Sequence, residues 1–324
     1  MGSAPLTALH PDLLERVKGL VAQARALAVG GRTGAHRSRL LGGGSEFSEY
    51  KAYEAGDDLR FLDWKVQART DRYVVRRFQS DRVRELQIVL DRTGSMSFGT
   101  TNGHEPGQWG PWPETKWQAA ATVALALAFI ALRQGDRVGL WTVEKGTGER
   151  ALSSLGRRKA PGRVPVRGGL RHLNELANTV LRDEPSGEGS LAATLAGVAA
   201  ASRRAEVIVI SDLLADEIDG WLPPLGVHTA RGREAQVLHV LDPAEVDFPY
   251  DEPTLFEDLE VGEELSANPR ELARSYREEF GAFLEAAKVG CAQRGVRYLQ
   301  LRTDEPLEDA LVPFLRASDL RRGA

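Results

Sequence analysis

Asp91, Thr93 and Ser95 set a carboxylate and two hydroxyls at alternate positions, directly after the apolar run Leu86-Gln87-Ile88-Val89-Leu90. Hard oxygen donors gathered on one tight turn form a set for Mg²⁺ or Mn²⁺ rather than for zinc or copper, which favour sulfur and imidazole. A second polar stop, Ser211-Asp212, follows the apolar, β-branched run Val207 to Ile210. Side by side, the two stops would gather two carboxylates and several hydroxyls. Each carboxylate can reach an ion directly or through water, because Mg²⁺ usually keeps part of its hydration shell. A further hydroxyl is Ser190, in the Gly187-Glu188-Gly189-Ser190 turn, with Thr194 one helical turn later as its alternative. Asp and Ser also cap turns and helices, so spacing alone leaves caps and metal donors open.

The elements that must position these residues alternate between strand and helix. Val83 to Leu90 reads as a strand that breaks at Asp91, Trp117 to Leu132 as a helix, and Arg137 to Val143 as a strand begun by Gly135-Asp136. Gly146-Thr147-Gly148 marks a hairpin into Arg150-Ala151-Leu152, and Gly169 to Leu181 and Leu191 to Ser202 are helical. Val207 to Ile210 and Ala235 to Leu241 are strands, followed by a helix at Arg270 to Val289, a strand at Val296 to Leu301 and a helix at Leu307 to Leu315. The alternation predicts an α/β fold: a doubly wound, mostly parallel sheet with helices on both faces. In such sheets ligands bind at the carboxyl ends of the strands, where both polar stops fall. Ahead of the sheet, Pro11 to Ala28 is an amphipathic helix, and an aromatic and charged extension leads to a strand at Tyr73-Val74-Val75. The expected division is residues 1–82, helix and extension packed on the core, and residues 83–324, the α/β domain. Two segments of that domain stand apart: a Gly- and Pro-rich insertion at 97–115, and an acidic excursion at 242–267 that forms extended structure or a hairpin outside the sheet.

Bulk properties narrow the function. Lys and Arg number 42 against 46 Asp and Glu, a net charge of −4, which gives no general drive toward nucleic acid or anionic lipid. The arginines clustered between Arg60 and Arg84 stand among Asp57, Asp58, Asp63, Asp71 and Asp81, the pattern of a salt-bridged face. The single cysteine, Cys291, excludes an internal disulfide and a cysteine-based zinc cluster. With no signal-peptide pattern at the N-terminus, a reducing cytoplasm is the expected compartment. Ala119 to Leu132 is apolar on all sides, but Lys116 and Arg133 bracket a stretch too short to span a bilayer. A buried core helix is expected there, and no membrane insertion.

Asp91-x-Thr93-x-Ser95 resembles the metal-ion-dependent adhesion site of von Willebrand factor type A domains, an Asp-x-Ser-x-Ser motif with a later Thr and a later Asp. A wider set of strings resembles the bacterial "domain of unknown function 58" family over roughly residues 35 to 318: Gly44-Ser45-Glu46-Phe47, Tyr53-x-x-Gly56-Asp57-Asp58-x-Arg60-x-x-Asp63-Trp64, Ala68-Arg69, Leu90-Asp91-Arg92, Ser95-Met96-x-Phe98-Gly99, Gly135-Asp136-Arg137-Val138-Gly139-Leu140 and Ile210-Ser211-Asp212. The resemblance implies a von Willebrand factor A-like, Rossmann-like fold with a divalent cation at the top edge of its sheet. It also implies a partnership with MoxR-type AAA+ ATPases in assembly, maturation or stress response. Asp91, Thr93, Ser95 and Asp212 carry over directly. Where the family often shows Gly-Thr-Asp-Leu, this chain has Gly189-Ser190-Leu191, one residue shorter, so Ser190 stands for the later hydroxyl. The function expected is recognition: an open coordination position completed by a partner's acidic residue.

The string from Gly56 to Trp64 has two readings. In one, Gly56-Asp57-Asp58 caps a short helix, Arg60 pairs with Asp63 and Trp64 anchors the segment on the core. In the other, exposed Arg and Trp form a partner-docking surface. An enzymatic alternative is a Mg²⁺-dependent phosphatase of the haloacid-dehalogenase type with Asp91 as nucleophile. Its acid/base residue two positions on is here Thr93, which lacks a suitable proton. No Walker loop, Gly-x-Ser-x-Gly or His-Glu-x-x-His motif is present. The expectation is therefore a non-enzymatic protein, with a scaffold carrying a non-functional site as a further alternative.

Overall fold

A computed structural model describes residues 17–23, 46–54, 62–79, 83–100, 115–143, 162–201, 204–260, 262, 264–309 and 311–313. The chain forms two compact units: Met1–Ala26 with Arg84–Val312, and Leu27–Val83 with Pro313–Ala324. In the smaller unit, β1 (Glu46–Ala52) pairs antiparallel with β2 (Val74–Gln79), and α1 (Trp64–Thr70) lies between them in sequence. Asp63 is the cap of α1, accepting from the backbone N–H groups of Lys65 at 3.0 Å and Val66 at 3.2 Å. The Gly56-Asp57-Asp58 stretch and Arg60, on which the rest of the capping reading falls, lie outside the described residues. Trp64, the first residue of α1, is 63% exposed.

The larger unit is a six-stranded sheet. Its elements are β3 (Glu85–Asp91), α2 (Lys116–Arg133), β4 (Arg137–Val143), β5 (Arg163–Gly168), α3 (His172–Leu181), α4 (Leu191–Ala201) and β6 (Glu206–Ser211). They continue with α5 (Ile218–Ala230), β7 (Ala235–Leu241), α6 (Pro243–Asp247), the two-stranded hairpin β8 (Thr254–Glu257) and β9 (Glu264–Ala267), α7 (Pro269–Gln293) and β10 (Arg297–Arg302). The strand order is β10-β7-β6-β3-β4-β5, and every pairing is parallel except β4 with the edge strand β5. The expected α/β fold with a mostly parallel, doubly wound sheet is what the chain adopts. A helical stretch at 17–23, inside the amphipathic segment expected at Pro11 to Ala28, buries Val17, Leu20 and Val21.

Strand periodicity assigns the two faces. Val89, Val207, Val209 and Val237 share one core with Leu195 of α4, Trp221 of α5 and Ala287 of α7. Ile88 and Leu90 point to the opposite face, where α2 lies against β3 and β4. That placement explains why α2 is apolar all round. Among the described residues it alone is long and apolar enough to cross a membrane, yet 83% of it is buried inside the protein. A helix sandwiched between a sheet and a second helix shows the same composition.

Two elements escaped the sequence reading because of proline. Helix α5 contains Pro223 and Pro224, each of which costs an interior helix about 3 kcal/mol. Burial of Trp221, Leu222 and Leu225 on the sheet offsets that cost. Strand β5 contains Pro165, which an edge strand tolerates because one side needs no ladder donor. Its Arg163 guanidinium lies 4.6 Å from the Trp141 ring centroid, a cation–π contact. Helix α3 begins at His172 rather than Gly169, whose φ of +89° belongs to the preceding turn. The hairpin expected at Gly146 to Leu152 and the interior of the 97–115 insertion lie outside the described residues. The ends of that insertion are fastened together: Lys116 N–H donates to the Phe98 carbonyl at 2.9 Å. The acidic excursion folds as α6 and the β8–β9 hairpin, outside the main sheet as expected.

Candidate metal centre

The chain crosses from β3 to β4 on one side and later returns to β6 on the other, which makes β3 the switch point of the sheet. Such points open a crevice at the carboxyl ends of adjacent strands. Parallel register pairs Leu90 with Ile210, so the residues that follow, Asp91 and Ser211, leave the sheet side by side.

Asp91 is fully buried. Its Oδ1 accepts from Thr93 N–H at 3.0 Å and Thr93 Oγ1 at 2.9 Å, and its Oδ2 accepts from Ser211 Oγ at 2.5 Å. Thr93 Oγ1 is 3.0 Å from Ser95 Oγ, and the Ser95 hydroxyl also lies against the Asp212 carboxylate. The four positions Asp91, Thr93, Ser95 and Asp212 therefore come together. Ser211 joins them as a positioning residue: its oxygen also accepts from Leu213 N–H at 2.8 Å, while Asp212 Oδ1 accepts from Leu214 N–H at 3.2 Å. Between those two bonds Leu213 takes a φ of +61°, a conformation uncommon for leucine and typical of constrained functional turns.

Ser190 is placed differently. Its hydroxyl donates to Asp216 (3.2 Å to each carboxylate oxygen) and accepts from Ala193 N–H at 3.1 Å. With Asp216 accepting from Ala192 N–H at 2.9 Å, the pair caps α4. The Gly187 turn does border the Asp91 loop, since the Gly187 carbonyl accepts from Gly94 N–H at 2.8 Å. Thr194 Oγ1 donates to the Ser190 carbonyl at 2.8 Å within the helix.

Three participants come from distant parts of the chain. Lys116, the first residue of α2, is wholly buried, and its Nζ lies 2.7 Å from Asp212 Oδ2 and 2.5 Å from Glu245 Oε1. Glu260, next to the turn of the β8–β9 hairpin, lies beside Ser95 and Asp212. His239 on β7 supports the far side: its Nε2 is 2.9 Å from the Asp212 carbonyl and its Nδ1 2.6 Å from Tyr298 Oη. A carbonyl can only accept, so Nε2 carries the proton and Nδ1 accepts from the tyrosine. Burial lowers His239 to about 4, which keeps the ring neutral.

The electrostatics are lopsided. Burial, and then the charge of Asp212, raise the Asp91 carboxyl to about 7, although Ser211 and Thr93 donate to it. Burial would raise Asp212 as well, but the Lys116 ammonium holds it below the ordinary carboxylate range. Burial opposes the charge on Lys116, and Asp212 and Glu245 more than offset it. Glu245 stays raised by burial despite the lysine. Among the described residues, the acids Asp91, Asp212, Glu245 and Glu260 share one ammonium.

This donor set fits a small, hard divalent cation. The Thr93 hydroxyl donates a hydrogen bond to Asp91, which leaves lone pairs on its oxygen to accept a cation. Ser95 and Asp212 supply further oxygens, and Asp91 supplies charge. No three His, Cys, Asp or Glu side chains form a ready metal cage among the described residues. The fit is thus to an ion held partly by hydroxyls and water, as Mg²⁺ is. Cys291 takes no part: its thiol is buried and raised to about 11 by burial.

A match to the family described as "Protein of unknown function DUF58" spans residues 49–288. The uncharacterized proteins Rv1480 of Mycobacterium tuberculosis and Mb1516 of Mycobacterium bovis are each 31% identical over 301 residues, covering 90% of this chain and 84% of their own. Among solved structures, the conserved hypothetical protein BatB from Bacteroides thetaiotaomicron aligns with a TM-score of 0.44 at 15% identity, over 74% of this chain and 99% of BatB. An aerotolerance-related membrane protein from Bacteroides fragilis aligns with a TM-score of 0.40 at the same identity and coverage. With most of its length inside the family match and a relative 31% identical along 90% of it, the chain belongs to the DUF58 family.

Proposed function

We propose that this protein is a non-enzymatic interaction module whose crevice between β3 and β6 holds Mg²⁺ or Mn²⁺ and receives an acidic group of a partner protein. The observation that carries the reading is the meeting of Asp91, Thr93, Ser95 and Asp212 at the switch point, with acids in excess over the one buried ammonium among the described residues. A bound ion would supply a Lewis-acidic point for a carboxylate oxygen. The residues orient the donors: Ser211 fixes Asp91, Asp91 fixes Thr93, and Lys116 fixes Asp212. The partner class, a MoxR-type AAA+ ATPase or its client in assembly, maturation or stress response, comes from the resemblance described above; work in the cytoplasm is the reading that the single cysteine, Cys291, supports.

Two observations weigh against phosphoryl transfer. Asp91 has no exposed surface, and both of its oxygens are occupied by donors, whereas a nucleophile must reach its substrate. The residue two positions on is Thr93, whose hydroxyl is no general acid near neutral pH. A second reading draws on Lys116: an ammonium already bound to Asp212 suits a scaffold that needs no ion.

Pull-down of a MoxR-type ATPase by the full-length chain separates these readings. Recovery is expected in Mg²⁺ and is lost with EDTA or with Asp91→Ala. Equal recovery in all arms would refute the metal-bridged version and favour the scaffold. Turnover of a model phosphoester that disappears with Asp91→Asn would overturn the non-enzymatic assignment.

A further inference from the structure

The β8–β9 hairpin is seated on the Asp91 loop itself. A Cβ built on Gly94 would lie 2.1 Å from the Leu259 carbonyl oxygen and 3.1 Å from Glu260 Cα, so the two backbones meet where no side chain fits. The turn that makes this approach is fixed locally. Asp258 Oδ1 accepts from Glu260 N–H at 2.7 Å, the Asp258 carbonyl accepts from Gly262 N–H at 2.8 Å, and Gly262 takes a φ of +74°. Phe256 stacks on Phe248 with ring centroids 6.1 Å apart, which ties the hairpin to the end of α6.

This seating delivers a carboxylate to the site. The Glu260 carboxylate accepts from the Ser95 hydroxyl and lies near Asp212, while its Oε1 is buried with no hydrogen-bond partner among the described residues. Leaving a buried carboxylate oxygen unpaired is costly. Between the hairpin and helices α2, α6 and α7 is a cavity of about 380 Å³ whose wall includes Ser95, Lys116, Glu245 and Glu260. The Lys116 ammonium is already engaged by Asp212 and Glu245.

We propose that Glu260 is the chain's own ligand to the ion, closing the position otherwise open to an outside acid, so that a partner's carboxylate binds by displacing the β8–β9 hairpin. The proposal rests on the metal reading above and extends it. The unpaired Oε1 then has a cation as its missing partner. Gly94 has a stated reason to lack a side chain: it is the floor on which the hairpin sits. A partner must offer an acidic group strong enough to replace Glu260, which makes the hairpin a selectivity element.

The test is Mn²⁺ binding to the full-length chain, followed by electron paramagnetic resonance for affinity and by water-proton relaxation for the water bound to the ion. Glu260→Gln keeps the side-chain shape and is expected to weaken Mn²⁺ binding roughly tenfold or more while raising the relaxivity per bound ion, as water enters the vacated position. Gly94→Ala, which forces the hairpin off, is expected to raise relaxivity in the same direction with Glu260 intact. Added acetate should lower the relaxivity of Glu260→Gln more than that of the unsubstituted protein. Unchanged affinity and relaxivity in Glu260→Gln, with Mn²⁺ binding intact in the unsubstituted chain and lost in Asp91→Asn, would overturn the role of Glu260 alone. Failure of the unsubstituted chain to bind Mn²⁺ would remove this proposal and the metal reading together.

Discussion

Lys116→Met is expected to destabilise the protein by about 3–5 kcal/mol, the range for breaking a buried ion pair by removing one partner. The lysine sits at the first turn of α2 with no exposed side-chain surface, joined to Asp212 and Glu245. Met fills the same volume but leaves two carboxylates uncompensated, next to an Asp91 that already repels Asp212. Equilibrium unfolding in urea with EDTA measures the loss. Mg²⁺ should recover part of it, because an ion that binds only the folded chain stabilises by mass action. The variant should also bind Mg²⁺ more tightly than the unsubstituted protein, since the crevice has lost a positive charge. A loss under about 1 kcal/mol, the range of exposed ion pairs, would show that the lysine is not the internal counter-ion.

Asp91→Asn is expected to act with the opposite sign. Burial and Asp212 raise the Asp91 carboxyl from 3.8 to about 7. Across that window the folded chain holds a proton that the unfolded chain has released, so the contribution of Asp91 to stability falls as pH rises. It is least favourable above about 7. Asn keeps the acceptor for Thr93 and carries no charge. Metal-free Asp91→Asn should therefore exceed the unsubstituted protein in stability at pH 8, by on the order of a few kcal/mol. The gap should close as pH approaches 4. The same variant should lose the stabilisation that Mg²⁺ gives the unsubstituted chain. Such a trade, stability given up for function, is what a binding residue shows and a cap does not. A less stable Asp91→Asn at pH 8 in EDTA would assign Asp91 to capping instead.

Half of this site was legible from local pattern. Asp91 and Asp212 stand out because each ends an apolar run, and a parallel sheet carries such stops to one edge. The alternation of strands and helices was readable for the same reason: buried parallel strands are short unbroken apolar runs. Lys116 and Glu245 were not legible. They lie 96 residues upstream of Asp212 and 129 residues downstream of Lys116, respectively, and only the packing of α2 and α6 makes them neighbours. In the sequence Lys116 reads as the polar flank of an apolar helix, which is also what a membrane boundary looks like. Glu260 sits in an acidic stretch where nothing local distinguishes it from Glu257 or Glu264. Ser190 carries the ambiguity of its residue type: a hydroxyl before a helix suits a cap or an ion, and here Asp216 draws it into capping. Prolines hid α5 and β5, because helix and strand propensity are weak priors that burial or an edge position overrides.

In the proposed site the hydroxyls of Thr93 and Ser95 hold a divalent ion beside Asp91 and Asp212. Calorimetric titration of Mg²⁺ and Mn²⁺ into the unsubstituted chain and into a Thr93→Val/Ser95→Ala variant tests it most directly, since those changes remove two oxygens and leave every carboxylate in place. Saturable binding of a single ion to the unsubstituted chain, weakened roughly tenfold or more in the variant, is the predicted result. Absence of binding to the unsubstituted chain, or equal binding to both, would refute a metal site built on these hydroxyls.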